Sequence, residues 1–171
     1  YKVGSYTSPH LIHFNERVRI NGVSAPDEAL IAAFEQVEAA RLAADVSLTY
    51  FEFTTLAAMQ VFLTAGVEAL VLEVGLGGRL DAVNLYEPDV SVVTGVALDH
   101  QDYLGDTREA IALEKIGIAR CGKPIVIAEP DMPLAALKQL AAVGAKVYLI
   151  GEAFGFEPLP GEEGLPSIQW R

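Results

Sequence analysis

One cysteine, Cys121, stands in 171 residues, so no disulfide can close within the chain and nothing points to an oxidising compartment. A cytoplasmic setting is expected. Cations are also scarce: 12 Lys and Arg face 23 Asp and Glu, a net charge of -11. A field of that sign repels polyanions, which argues against nucleic acid and anionic membrane as partners. An anionic small ligand would need local cations or a metal. No apolar run approaches the roughly 20 residues of a membrane span, and the N-terminus lacks the basic-then-apolar layout of a signal peptide. G-x-x-x-x-G-K-[ST] is absent too, so the chain holds no phosphate-cradling P-loop, and Gly122-Lys123-Pro124 reads only as a helix stop. No initiator methionine precedes Tyr1, and a strand begins almost at once. The chain is therefore expected to be a piece of a longer protein.

Apolar residues make up 51% of the sequence, enough for one compact domain with a real core. Its organising stretch is Leu70 to Asn84, LVLEVGLGGRLDAVN. Leu70, Val71 and Leu72 read as a strand buried on both faces, as in a parallel sheet, with Glu73 emerging at its C-terminal edge, where open α/β sheets place ligands. Gly75, Gly77 and Gly78 let the backbone turn sharply and pass close to a neighbour.

Around it, Lys2 to Tyr6 is a strand ending in Thr7-Ser8-Pro9-His10. Glu16 to Ile20 alternates as a second strand that Asn21-Gly22 closes. Ser24 with Asp27 signals a helix whose core face is Leu30, Phe34 and Val37. Thr49-Tyr50-Phe51-Glu52 is a capping box opening a second helix, which buries Leu56, Met59, Phe62 and Leu63 and ends at Gly66. Val90 to Leu98 is a further apolar strand leading to Asp99-His100, so Glu73 and His100 are expected at one sheet edge. Then come a helix from Thr107 to about Ala119 stopped at Gly122, a strand from Pro124 to Ala128, a helix from Asp131 to Val143 and a strand from Lys146 to Ile150. Strands alternating with helices imply βαβ units and a mostly parallel sheet flanked by helices. Residues 1–150 read as the core, and 151–171, broken by Pro158, Pro160, Gly161, Gly164 and Pro166, as an edge hairpin or linker leading to an absent domain.

Ser8, Glu73 and His100 are a hydroxyl, a carboxylate and an imidazole that could hold a hard divalent cation, although His is an unusual magnesium ligand. The spacing alone is not diagnostic: a His after a strand is more often a hydrogen-bonded structural residue, and a Ser before proline a turn residue. Asp81 and Asn84 could bind a substrate's polar edge or cap the next segment. Lys115, in the helix REAIALEK, has no pattern that separates it from a solvated surface lysine. The glycine turn does not make a dinucleotide site, because G-x-G-x-x-G would need glycine where Leu80 stands.

Taken together, YTSPHL, ERVRING, LTYFEFTTLAA, LEVGLGGRLDAVN, VALDHQDYLG and EKIGIAR, in order between Tyr6 and Arg120, resemble dihydrofolate synthase/folylpolyglutamate synthase, a branch of the Mur ligase superfamily. The resemblance implies the central, P-loop NTPase-like ATPase domain of that family with its P-loop strand missing, and ATP-dependent ligation of L-glutamate to dihydropteroate or to a folate's glutamyl tail. The substrate carboxylate would be phosphorylated by ATP and the resulting acyl phosphate attacked by the glutamate amine. It makes Ser8, Glu73 and His100 magnesium ligands, with His100 in the catalytic centre, and Lys115 the lysine that such enzymes carbamylate. Thr49, Phe51, Asp81 and Ala82 match positions lining the pterin pocket, where a ring can stack and a carboxylate accept ring N–H groups. Carboxylate, triphosphate and glutamate are all anionic, so magnesium must neutralise the site; Arg79 and Arg17 are the candidate local cations.

The family's P-loop is expected before Tyr1 and its C-terminal domain after Arg171, and the chain alone is expected to be inactive. A monomer is what the family implies. Three other functions compete. A Mur-type ligase of a peptidoglycan precursor is disfavoured by YFEF with SPHL. A non-catalytic folate-binding module would have lost the P-loop altogether. A nicotinamide-dependent oxidoreductase lacks its third glycine.

Overall fold

A computed structural model describes residues 1–159 and 167–170. The chain divides into two compact units, Tyr1–Leu76 with Asp81–Leu85, and Gly77–Leu80 with Tyr86–Arg171.

The first unit is built on a four-stranded sheet in the order β3-β2-β1-β4, comprising β1 (Val3–Tyr6), β2 (Val18–Ile20), β3 (Val23–Ser24) and β4 (Ala69–Leu72). β1 pairs parallel with β4, Val3 opposite Ala69 and Tyr6 opposite Leu72, and antiparallel with β2. Asn21 and Gly22 form the β2–β3 turn, both with positive φ, which suits the right-handed twist of a hairpin. α1 (Asp27–Ala44) and α2 (Tyr50–Ala65) complete the unit. Tyr6, Val18, Leu30, Val37, Ala58 and Phe62 form its core. Inside that core the Tyr6 hydroxyl lies 2.9 Å from Thr54 Oγ1 and 3.5 Å from Thr55 Oγ1, and Thr54 also donates to the Phe51 carbonyl at 3.2 Å. Among the described residues no buried hydroxyl is left unpaired, as burial requires.

The second unit carries a three-stranded parallel sheet, β5 (Ser91–Val93), β6 (Pro124–Ile127) and β7 (Lys146–Leu149), in that order. α3 (Gln101–Leu104), α4 (Arg108–Lys115) and α5 (Leu134–Val143) accompany it. Its own core gathers Val93, Val96, Ile111, Ile116, Ile125, Ile127 and Leu140. β8 (Phe156–Leu159) and β9 (Ser167–Trp170) form an antiparallel pair, in keeping with the hairpin expected there. Pro160, Gly161, Gly164 and Pro166 lie outside the described residues.

The α/β class and the parallel βα pairings follow the sequence reading, and the capping box is present as read: Thr49 N–H donates to Glu52 Oε2 at 2.6 Å, and Glu52 N–H to Thr49 Oγ1 at 3.3 Å. Several boundaries are corrected. Glu16 and Arg17 belong not to a strand but to a 3-10 turn, Phe14–Arg17. The Glu16 carboxylate accepts the backbone N–H groups of Leu11, Ile12 and His13 at 2.7–3.0 Å, and those bonds hold its pKa down to about 2. Helix α1 starts at Asp27, not at a Ser24 cap, because Ser24 pairs with Arg19 in the hairpin and Pro26, extended at φ -70°, is the N-cap. Leu63 is 70% exposed rather than buried. The Val90–Leu98 strand contracts to Ser91–Val93. The helix after Thr107 ends at Lys115 and tightens into a 3-10 turn, Ile116–Ile118, short of Gly122. α5 waits for Leu134, since Asp131 is held in the loop before it by hydrogen bonds at both its N–H and its carbonyl. β4 is not buried on both faces: it lies at the edge of its sheet, and Val71 is 59% exposed.

Candidate functional site

Of the residues singled out in the sequence, Ser8 and Glu73 follow the C-terminal ends of the parallel strands β1 and β4, and His100 lies beyond β5 of another sheet. β4 and β5 belong to separate sheets in separate units, which corrects the expectation that Glu73 and His100 share a sheet edge.

In the first unit, β1 and β4 run parallel and end together, so Ser8 and Glu73 meet. The Glu73 N–H donates to the Tyr6 carbonyl at 2.9 Å, and Ser8 N–H donates to Glu73 Oε2 at 2.8 Å. Glu73 itself is exposed. A carboxylate held by one oxygen beside a hydroxyl is an oxygen donor set suited to a hard cation such as magnesium, which keeps several waters. Among the described residues no three His, Cys, Asp or Glu side chains converge.

The turn after β4 is organised by Asp81. Its Oδ2 accepts Gly75 N–H and Leu76 N–H, both at 3.0 Å, and its Oδ1 accepts Val83 N–H at 2.9 Å. Both oxygens therefore hold backbone. Of the two readings offered by the sequence, the capping one describes these contacts, and Ala82 opens the 3-10 turn Ala82–Leu85 that follows. Phe51 lies directly on Gly75: a Cβ there would stand 2.6 Å from Phe51 Cζ, closer than carbon atoms pack. The ring also meets Tyr6, centroids 5.8 Å apart.

Thr49, at the start of α2, lines a cavity of about 440 Å³ with Phe14, Phe34, Leu48, Tyr50 and Phe53. Arg17, 8% exposed, stands beside its wall, the guanidinium carbon 5.9 Å from the Phe14 ring centroid and 5.7 Å from that of Tyr50, distances at which a cation is attracted to the π face. Its Nε donates to His10 Nδ1 at 2.8 Å. Arg17 is thus a buried, partnered cation.

In the second unit His100 is the N-cap of α3 in a left-handed conformation, φ 51°. Its imidazole is exposed, with Nε2 3.6 Å from Asp99 Oδ2. Lys115 is half-buried at the C-terminus of α4. Arg79, the other candidate cation, is committed to Glu114: Nε and Nη2 both donate to Glu114 Oε1, at 3.0 and 2.9 Å, while Arg79 N–H donates to the Glu114 carbonyl. Gly117 permits this approach, since a Cβ there would lie 2.4 Å from Arg79 Cβ.

Sequence reasoning missed a third group, at the ends of β5 and β6. Glu129 Oε2 accepts Val96 N–H at 2.8 Å and its Oε1 accepts Asp131 N–H at 3.1 Å. Arg108 at the head of α4 donates to the Val96 carbonyl and pairs with Glu129 at 3.1 Å. The Val96 N–H, then the Asp131 N–H and the Arg108 charge, hold the Glu129 carboxyl below the usual carboxylate range. A carboxylate two residues past a strand was the available signal.

These α/β units with polar groups at parallel strand ends have a family. Residues 28–155 match the Mur ligase middle domain, and the chain belongs to that family. More particularly, it is 53% identical over 133 residues to the dihydrofolate synthase/folylpolyglutamate synthase of Escherichia coli (strain K12), covering 78% of this chain and 31% of that protein. To the folylpolyglutamate synthase of Lacticaseibacillus casei it is 42% identical over 151 residues, 84% of this chain and 35% of that one. Among solved structures, E. coli FolC in complex with DHPP and ADP superposes with a TM-score of 0.90 at 46% identity, over 94% of this chain and 38% of that one. The Yersinia pestis bifunctional folylpolyglutamate synthase/dihydrofolate synthase complexed with AMPPNP and Mn ion gives 0.90 at 46%, over 99% and 40%. The resemblance read from the sequence blocks is thereby borne out. The chain spans 31% of the first of these curated relatives.

Proposed function

We propose that this chain is the central part of an ATP-dependent ligase that joins L-glutamate to dihydropteroate, to a folate's glutamyl tail, or to both. The observation that carries the reading is the 46% identity and 0.90 TM-score to a relative solved with DHPP and ADP. On this reading Ser8, Glu73 and His100 are magnesium ligands, Lys115 is the carbamylated lysine, and Thr49, Phe51, Asp81 and Ala82 line the pterin pocket. The bound magnesium supplies charge neutralisation for ATP and the substrate carboxylate.

This chain's residues supply the setting. The Ser8 N–H fixes the Glu73 carboxylate at the end of β4. Asp81 ties the turn at Gly75 and Leu76, so that Phe51, packed on Gly75, presents a fixed ring. The reaction transfers the γ-phosphoryl of ATP to the substrate carboxylate; the glutamate amine then attacks the acyl phosphate, releases phosphate and forms the amide. Arg17 and Arg79 temper the local anionic field. The setting is the cytoplasm, and the working protein is a monomer.

The test is ADP release by the complete protein carrying this domain. Release that requires magnesium, L-glutamate and either dihydropteroate or a reduced folate is expected. Release that instead requires a nucleotide-sugar peptide would replace the reading by a peptidoglycan-precursor ligase, and binding of folate without any release would replace it by a binding module.

A further inference from the structure

We propose that Glu129 and Arg108 are positioning residues: they clamp both backbone polar groups of Val96 and so set where the segment carrying His100 leaves the sheet. The inference rests on the ligand role proposed for His100.

Four observations meet here. Strand β5 ends at Val93, and Val96 is only four residues before His100. The Val96 N–H is held by Glu129 Oε2 at 2.8 Å and its carbonyl by Arg108 Nε at 3.1 Å. The two clamping side chains hold each other at 3.1 Å, and Arg108 Nη2 and Glu129 Oε1 both hold the backbone of Asp131. Finally, the Val96 side chain is buried in the second core, so the clamped residue is also anchored below. The segment after it has no such anchorage: Leu98 is exposed, and His100 takes a left-handed conformation with no side-chain cap bond to α3.

Glu129 is largely buried and Arg108 less so, their side chains 14% and 42% exposed. A charged pair that between them also holds the backbone of Val96 and Asp131 is poorly explained as surface solubility. It is well explained as a device that holds a loop, because each end of the device sits on a different element: the β6–α5 loop for Glu129 and the head of α4 for Arg108. A ligand's orientation depends on the groups behind it, and removing such supports typically weakens metal affinity about 10- to 100-fold.

The experiment compares Glu129→Ala, Glu129→Gln and His100→Ala in the complete protein carrying this domain. Manganese binding is read by the loss of the free-ion paramagnetic resonance signal in the presence of ADP, and amide exchange is followed across residues 94–100. Glu129→Ala is expected to raise the manganese dissociation constant about tenfold and to speed exchange at 97–100. Glu129→Gln, which keeps an acceptor for Val96 but loses the charge facing Arg108, is expected to fall between. The turnover number should drop while the KM for glutamate holds. Unchanged manganese affinity in Glu129→Ala, with a lowered melting temperature, overturns the proposal and leaves a merely structural clamp. Unchanged affinity in His100→Ala overturns the ligand reading, and this proposal with it, and is told apart because only that variant reports it.

Discussion

Two strand-end loops, one in each unit, are held by a carboxylate, and they are held differently. After β4, Asp81 gathers Gly75, Leu76 and Val83, all within six residues of itself. After β5, Glu129 and Arg108 reach Val96 from 33 and 12 residues away. The first turn carries its own tie and forms as soon as the chain bends; the second exists only once β5, β6 and α4 are in place. Local ties cost little loop entropy, whereas distant ones need the surrounding fold to hold their ends together. The loop after β4 is thus expected to be the stiffer where the fold loosens.

Substitutions rank the two. The largest effect is expected from Gly117→Ala, whose new methyl would stand 2.4 and 2.6 Å from Arg79 Cβ and Cα. Backbone cannot swing aside, and overpacking of this kind should lower the unfolding free energy by about 3 kcal/mol in a urea titration. Asp81→Ala strips three backbone N–H groups of their acceptor and should cost about 2 kcal/mol by the same titration, with Asp81→Asn losing roughly half as much. Arg108→Ala, partly exposed and therefore screened, should cost about 1 kcal/mol. If it costs more than Asp81→Ala, the distant clamp outweighs the local tie and the contrast is reversed.

The smallest effect concerns pH. Glu16 is another local tie, and its folded pKa of about 2 lies below its ordinary 4.5. A lowered folded pKa contributes stability that is complete above about pH 4.5 and lost as pH falls through about 2. Glu16→Gln should lower the melting temperature slightly at neutral pH and flatten its decline across that window, the two proteins converging at its acid end.

The same contrast explains what could be read in advance. Thr49 and Glu52 are three residues apart, and their mutual capping was legible in the sequence and is present. The turn at Asn21-Gly22 and the left-handed caps at Gly66 and Gly144 were legible for the same reason. Glu16 was misread as a strand residue because ERVRI alternates, while the partners of its carboxylate lie upstream in the loop and leave no periodic trace. Glu129 was not singled out at all: nothing near it in sequence announces Val96 or Arg108. The apolar run at Leu70 suggested burial on both faces, but burial is decided by which strands flank β4, and β4 lies at a sheet edge. Ser8 and Glu73 were expected together and do meet, because parallel pairing of β1 with β4 brings their ends level. His100 follows a strand of another sheet, a division that hydrophobic patterning does not encode.

The hydroxyl chain of Tyr6, Thr54 and Thr55 has a bearing on motion. Sliding α2 along β1 by a single residue would pull the phenol off both threonines and strand it in the apolar core, at a cost of about 1–3 kcal/mol for each group left unpaired. The contact works as a detent: helix and strand have one resting position, and small displacements return to it. Because Ser8 lies two residues beyond Tyr6, and Thr49 and Phe51 open α2, the hydroxyl chain keeps the two ends of the first unit's candidate site in step.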